Sequence, residues 1–333
     1  MNKPFHERRR QVFVTEEYFR DYSKYLEEER DYWKDGLQAI GDSESERRML
    51  ARMTYSNFSY SLFSLRYTAG IPIEELRSEL TGVIEAYEHY QKALAAYEGR
   101  PSISPLGLDQ LGDYERAMQL IGLCYLLHRR DLLPRIALMI DPGYVGEDTL
   151  YEDLLAYALP GRVDLDEWYH EKPYTPLVHA LYEAENEEAA NKLDEYLKQW
   201  YPAFKYVPWH DGHLRIDGTD GDYFGYWAFE AGAVALLCNI DDSQISHLVY
   251  PKDLVAWARE NADRFPDGGK GDIPKSRYNV PANHPCPETG WWFTPAKTGS
   301  RRYFKQGETM PSVGGDYGDT FWQWSPDQKV PKL

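Results

Sequence analysis

Cysteine is scarce in this 333-residue sequence: Cys124, Cys238 and Cys286 are the only three, an odd number with no C-x-x-C pair. That excludes a disulfide framework and a thiolate zinc site, and reduced thiols are the simplest reading. Long apolar runs are missing as well. The longest nearly apolar stretch, Ala231 to Cys238, falls far below the roughly 20 residues that span a bilayer. Met1 to Arg10 is polar and basic where a secretion signal would place an apolar segment. The expectation is a cytoplasmic chain with no membrane partner. Positive charge is the third deficit, with 37 Lys and Arg against 54 Asp and Glu, a formal net charge of -17. Direct binding of DNA, RNA or an anionic membrane rests on cations that neutralise phosphates, so this balance argues against all three.

Aromatic residues, by contrast, are plentiful. The chain is 42% hydrophobic and 15% aromatic, with 10 Trp and 27 Tyr, and at this size about three quarters of the unfolded surface can be buried. The periodicity of its apolar residues predicts an all-α fold: a bundle-like N-terminal domain over 1–140, a helical C-terminal domain over 141–265, and a loop-rich tail over 266–333. From Thr15, the residues Phe19, Tyr22, Leu26 and Trp33 share a stripe that Gly36 can close. Ser43 and Glu46 have the spacing of a capping box that opens a helix towards Gly70. Pro72 then starts a third helix, ended by Gly99 and Pro101, and a fourth is expected from Asp109 to His128. Between Pro134 and Pro176 the Pro and Gly residues predict short helices joined by turns, with a domain boundary near Asp141. Longer helices are expected from Asn186, read as an N-cap, to Trp200, from Tyr223 to Cys238, and from Lys252 to Arg264. In the tail, Gly290 to Thr294 and Thr320 to Trp324 read as two short strands. Its many Trp and Phe residues are expected to pack on the helical body, since in water they would form an apolar patch.

Acidity is concentrated in the middle of the chain. Asp141 to Glu230 holds 20 acids and 6 bases, whereas Asn261 to Leu333 holds 8 acids and 10 bases. The segment His210-Asp211-Gly212-His213 with Asp217, Asp220 and Asp222 contains every residue type of a hydrolytic metal site. Its spacing fits neither a helical zinc motif nor a calcium loop, so a polar turn leading into a helix is the better reading, with no metal and no cofactor. Paired carboxylates among Trp and Tyr leave a helical carbohydrate-active or metal-dependent hydrolase as the alternative function. The Gly-rich run Asp267 to Asp272 reads as a turn, and no G-x-S-x-G or G-x-x-x-x-G-K-[ST] is present. No catalytic residue is assigned. Glu230 interrupts the apolar stripe Tyr226, Phe229, Ala233, Leu236, Leu237, and reads as a core-edge Glu paired with a Lys or Arg, the other reading being an acid with a raised pKa.

The run Gly225-Tyr226-Trp227-Ala228-Phe229-Glu230-Ala231, followed by Asn239-Ile240-Asp241-Asp242-Ser243 and Tyr250-Pro251-Lys252-Asp253-Leu254-Val255, resembles the C-terminal domain of the PoNi-like immunity proteins, roughly over Glu147 to Arg264. The tail, with Trp292-Phe293-Thr294 and Phe321-Trp322-Gln323-Trp324, resembles an immunity-type extension. The resemblance implies a non-enzymatic antitoxin that binds one cognate toxin of the polymorphic or type VI secretion kind, commonly a DNase. Such a nuclease needs a cationic groove for DNA, and an acidic protein can occupy it. The acids Glu185, Glu187, Glu188, Asp211, Asp217, Asp220 and Asp222 are therefore the expected partner-binding residues.

Overall fold

The computed structural model describes residues 3–34, 41–265, 280–294, 300–313 and 320–325. Gly36 and the run 267–272 lie outside the described residues. The chain is all-α apart from short strands in its tail: α1 (Phe5–Arg8), α2 (Glu16–Trp33), α3 (Glu44–Thr68), α4 (Ile73–Glu98), α5 (Leu111–Leu126), α6 (Leu133–Tyr144), α7 (Thr149–Ala156), α8 (Glu171–Tyr182), α9 (Asn186–Ala203), α10 (Phe229–Leu237) and α11 (Lys252–Glu260). No helix among the described residues is long and apolar enough to cross a membrane.

Local chemistry explains the helix starts and stops. Thr15 caps α2 by accepting from the Tyr18 N–H at 3.1 Å. Ser43 accepts from Glu46 N at 3.1 Å, and the Glu46 carboxylate reaches back to Asp42 N at 2.6 Å, one residue short of a reciprocal box. Gly99 ends α4 in the left-handed region.

Helices α2, α3 and α4 pack side by side, α8 lies along α9, and α5 packs on α10. One apolar core therefore runs from Phe5 to Ala258, with Leu120, Leu123, Phe229, Val234 and Trp200 all buried in it. Close packing of α5 on α10 depends on Gly122, where a Cβ would meet the Phe229 and Glu230 backbone at 2.9 Å. Asp141 sits in the last turn of α6, where it accepts from Arg162 at 2.7 Å, and Arg162 also donates to the buried Glu152.

Helix boundaries differ from the sequence reading in several places, α11 ending at Glu260 rather than Arg264. Residues 223–228 are not helical, so α10 starts at Phe229 rather than Tyr223. Gly225 takes φ +119° there with the Thr68 hydroxyl where a Cβ would sit, and the Gln11 side chain serves the backbone of Tyr226, accepting from its N–H at 3.0 Å and donating to its carbonyl at 2.6 Å. Asn186 is the first residue of α9 rather than its cap. Its amide instead holds the following loop, donating to Asn239 O at 2.8 Å and accepting from Asp241 N at 2.7 Å.

The tail forms an antiparallel sheet of four strands, β1 (Val280–Pro281), β2 (Gly290–Phe293), β3 (Arg302–Phe304) and β4 (Phe321–Trp324), in the order β1-β4-β2-β3. Trp292 pairs with Trp324, and Gly290 with Phe304. Instead of adding to the helical core, Val280, Cys286, Trp292, Phe304, Met310 and Trp322 make a cluster of their own. Edge-to-face contacts of Trp292 with Trp324 at 5.2 Å and of Phe304 with Trp322 at 4.8 Å fill it.

Candidate partner-binding surface

The seven acidic candidates fall into two groups at opposite ends of α9. Glu185, Glu187 and Glu188 flank its first turn and are all exposed, where the positive end of the helix dipole favours them. The other four lie on the loop that follows its C-terminus, joined to the last turn by the Tyr201 hydroxyl, which donates to Asp211 at 2.6 Å. With a rise of 1.5 Å per residue the two groups stand on the order of 20 Å apart. That is about two Debye lengths at physiological salt, so the groups act on a partner independently.

Within the loop the four acids are not equivalent. Asp222 is clamped by Arg215, whose guanidinium donates to both carboxylate oxygens at 2.7–3.0 Å and to the carbonyls of Pro208 and His210. Asp211 sits half-buried at φ +59°, faces His210 at 3.3 Å and is held below the usual carboxylate range by the Tyr201 hydroxyl. Asp217 and Asp220 are exposed and exchange two backbone hydrogen bonds across a tight turn at Gly218, which adopts φ +63°. Among the described residues no Lys or Arg pairs with either, so both present their full charge to solvent.

An aromatic stack holds this loop in place. Trp209 stacks on Trp200 at 5.3 Å and packs against Phe204 and Tyr226, while His210 lies on the Tyr201 ring at 4.2 Å. His213 is turned the other way: its backbone N–H and its Nδ1 both meet the Tyr226 hydroxyl, at 3.1 and 2.8 Å. Each histidine is thus engaged with its own tyrosine. Among the described residues no three His, Cys, Asp or Glu side chains converge as metal ligands would.

Beneath the loop lies a pair of buried acids. Among the described residues Glu230 has no Lys or Arg partner, contrary to the sequence reading. Its Oε1 accepts from Tyr196 at 2.5 Å and from Trp200 Nε1 at 3.1 Å, and its Oε2 is buried with no hydrogen-bond partner among those residues. Burial raises its pKa to about 7. Glu115, on α5, accepts from Gln119 at 2.7 Å and from Trp209 Nε1 at 2.9 Å, and burial raises its pKa to about 8, with the Glu230 charge adding to the rise. Gln119 also donates to Trp227 O at 2.7 Å and accepts from Tyr60. The motif around Tyr226 and Glu230 therefore builds the floor on which the acidic loop rests. Glu115 escaped the sequence reading because nothing in its helical position marks it as facing another carboxylate.

Comparison with known proteins follows this geometry. Residues 146–254 match the family described as PoNe immunity proteins (PoNi), C-terminal. No curated protein matches the chain. Among solved structures, the crystal structure of protein PA2201 from Pseudomonas aeruginosa is similar in fold, with a TM-score of 0.59 and 23% identity over 76% of this chain and 91% of that one. The matched segment spans the acidic loop, α9 and the Gly225 to Ala231 run, and over these residues the chain is similar to the C-terminal domain of the PoNe immunity proteins.

Proposed function

We propose that this protein neutralises a secreted antibacterial nuclease, of the kind delivered by type VI secretion, by covering its DNA groove inside the cytoplasm of the producing cell, without catalytic turnover of its own. The observation that supports this most is the Asp217 to Asp220 turn: two exposed carboxylates without cationic partners, on a loop braced by aromatic stacking, inside the family-matched segment. A cationic groove built for phosphates is the complementary surface, and a braced loop loses little entropy on docking. Asp211 and Asp222 shape the loop, and Glu185, Glu187 and Glu188 form a second, separate acidic edge. Residues 141–265 are the recognition unit in this reading, with 1–140 as its support and 266–333 as an extension.

Coexpression with the toxin encoded beside this gene tests it. The expected result is a copurifying complex and loss of the toxin's DNA cleavage in vitro at equimolar protein. Full nuclease activity in the presence of excess immunity protein would refute the nuclease reading, and so would a neighbouring toxin whose substrate is not nucleic acid.

A further inference from the structure

On this strongly acidic molecule the cavity beside the N-terminal segment is rich in cations. It measures about 570 Å3 and is bordered by Lys3, Arg8, Arg9, Arg10 and Lys252, against only Glu7 and Asp253. The cations there are of two kinds. Arg10 and Lys252 are used by the fold: Arg10 pairs with Asp253 and donates to Tyr67 O at 2.5 Å, while Lys252 donates to Ser243 O and Ile245 O at 3.0 and 2.9 Å. Arg8 and Arg9 are half-buried, yet among the described residues neither has a carboxylate within 4.0 Å. Arg9 engages one nitrogen with Val14 O at 2.7 Å, and Arg8 lies 4.9 Å from the Phe5 ring. Arg8 and Arg9 thus bring two partly desolvated guanidiniums without an acid to one cavity.

The backbone that carries them is fixed. Arg10 N donates to Thr68 O at 2.7 Å, Arg9 N to Phe5 O at 2.9 Å, and a Cβ at Gly70, which has φ +82°, would run into the Arg8 carbonyl. The backbone that carries the donors is therefore held before any ligand arrives, which lowers the entropy cost of binding one.

We propose that this cavity is a binding site for a small polyphosphate anion, with Arg8 and Arg9 as its principal donors and Lys3 closing its exposed rim. Guanidinium pairs two parallel N–H groups with phosphoryl oxygens, and three cations bordering one cavity match a polyvalent phosphate better than the single charge of a carboxylate. The net charge of -17 repels anions at a distance, so affinity rests on contact hydrogen bonds within the cavity. This site is independent of the toxin-binding reading, since it lies on the N-terminal segment and the 247–253 loop rather than on the acidic turn.

Isothermal titration of the full chain with inorganic pyrophosphate at low salt tests it, beside the R8Q R9Q and K3Q variants and an R48Q control on the surface of α3. The expected result is one equivalent bound by the wild type and by R48Q, with R8Q R9Q weaker by about tenfold or more and K3Q weaker by less. Thermal melts check that each variant folds; should R8Q R9Q not fold, a weaker K3Q beside an unchanged R48Q supports the site and an unchanged K3Q overturns it. No binding by the wild type at about 1 mM pyrophosphate, or equal binding by a folded R8Q R9Q, would overturn it. A tetraglutamate peptide that binds as tightly as pyrophosphate would also overturn it, in favour of a carboxylate site.

Discussion

Glu230 and Asp220 are both carboxylates of the family-matched segment, and they do opposite work. Glu230 is fully buried, with Tyr196 and Trp200 on one oxygen and, among the described residues, no partner on the other. Its pKa, raised to about 7, leaves it divided between acid and carboxylate near neutral pH, while Glu115, raised to about 8, is mostly the acid. Asp220 is exposed on a turn that its own backbone closes, and no Lys or Arg among the described residues pairs with it. The buried acids are part of what holds the fold, whereas the exposed acids contribute charge that the fold does not use. Asp222 lies between these extremes, exposed but tied to Arg215.

The largest effect separating the two classes is expected at Glu230. Replacing it with Ala leaves the Tyr196 hydroxyl and the Trp200 indole N–H without their acceptor and opens a cavity, so Glu230→Ala should lower stability by about 3 kcal/mol or more. Glu230→Gln keeps an acceptor and should lose much less. Chemical denaturation of both variants measures the difference, and equal losses would mean that the carboxylate itself, rather than the volume or the retained acceptor, matters there.

Next comes pH. For Glu115 and Glu230 the folded pKa lies above the unfolded value, so the folded state binds more protons and these groups favour folding at low pH. Their contribution is fully present below about pH 4.4, the unfolded value, and is lost as pH rises through about 7 and 8. Stability should fall by an order of a few kcal/mol between pH 5 and about pH 9, and Glu115→Gln should flatten much of that slope. Denaturation midpoints across this range check it, and a wild type that gains stability towards pH 9 would contradict the assignment.

A smaller loss, of about 1 kcal/mol, is expected for Asp222→Ala, which frees Arg215 from an exposed but bidentate pair. Lys at Asp217 and Asp220 should change stability within about 0.5 kcal/mol, because no side-chain partner is lost. Thermal melts of the two variants side by side would sharpen the distinction between a structural and a free surface acid.

Much of this architecture is legible in the sequence, and the exceptions share a physical cause. Phe19, Tyr22 and Leu26, or Leu76, Leu80 and Ile84, repeat at helical spacing between good caps, and those helices stand where their periodicity puts them. Tyr223 to Ala228 has similar apolar character, but Gln11, more than 200 residues away, takes over the backbone of Tyr226, and no local pattern announces that. Asn186 is spent on the 239–241 loop for the same kind of reason. Glu230 was conspicuous as an acid in an apolar stripe; that its partners are a Tyr and a Trp from α9 rather than a cation is a tertiary fact. The acidic loop was visible as composition, yet the difference between Asp222, clamped, and Asp217 and Asp220, unclamped, depends on where Arg215 turns.

The most direct test of the proposed role is the association rate of the purified protein with its neighbouring toxin, measured against ionic strength for the wild type, D217K D220K and E187K E188K. If the turn steers the partner, D217K D220K should associate more slowly by about tenfold at low salt and show a flatter salt response, at unchanged melting temperature, while E187K E188K should change less because its cluster lies at the far end of α9. Equal rates for the wild type and D217K D220K across the whole salt range would contradict the claim that the exposed acids of this loop recognise the toxin.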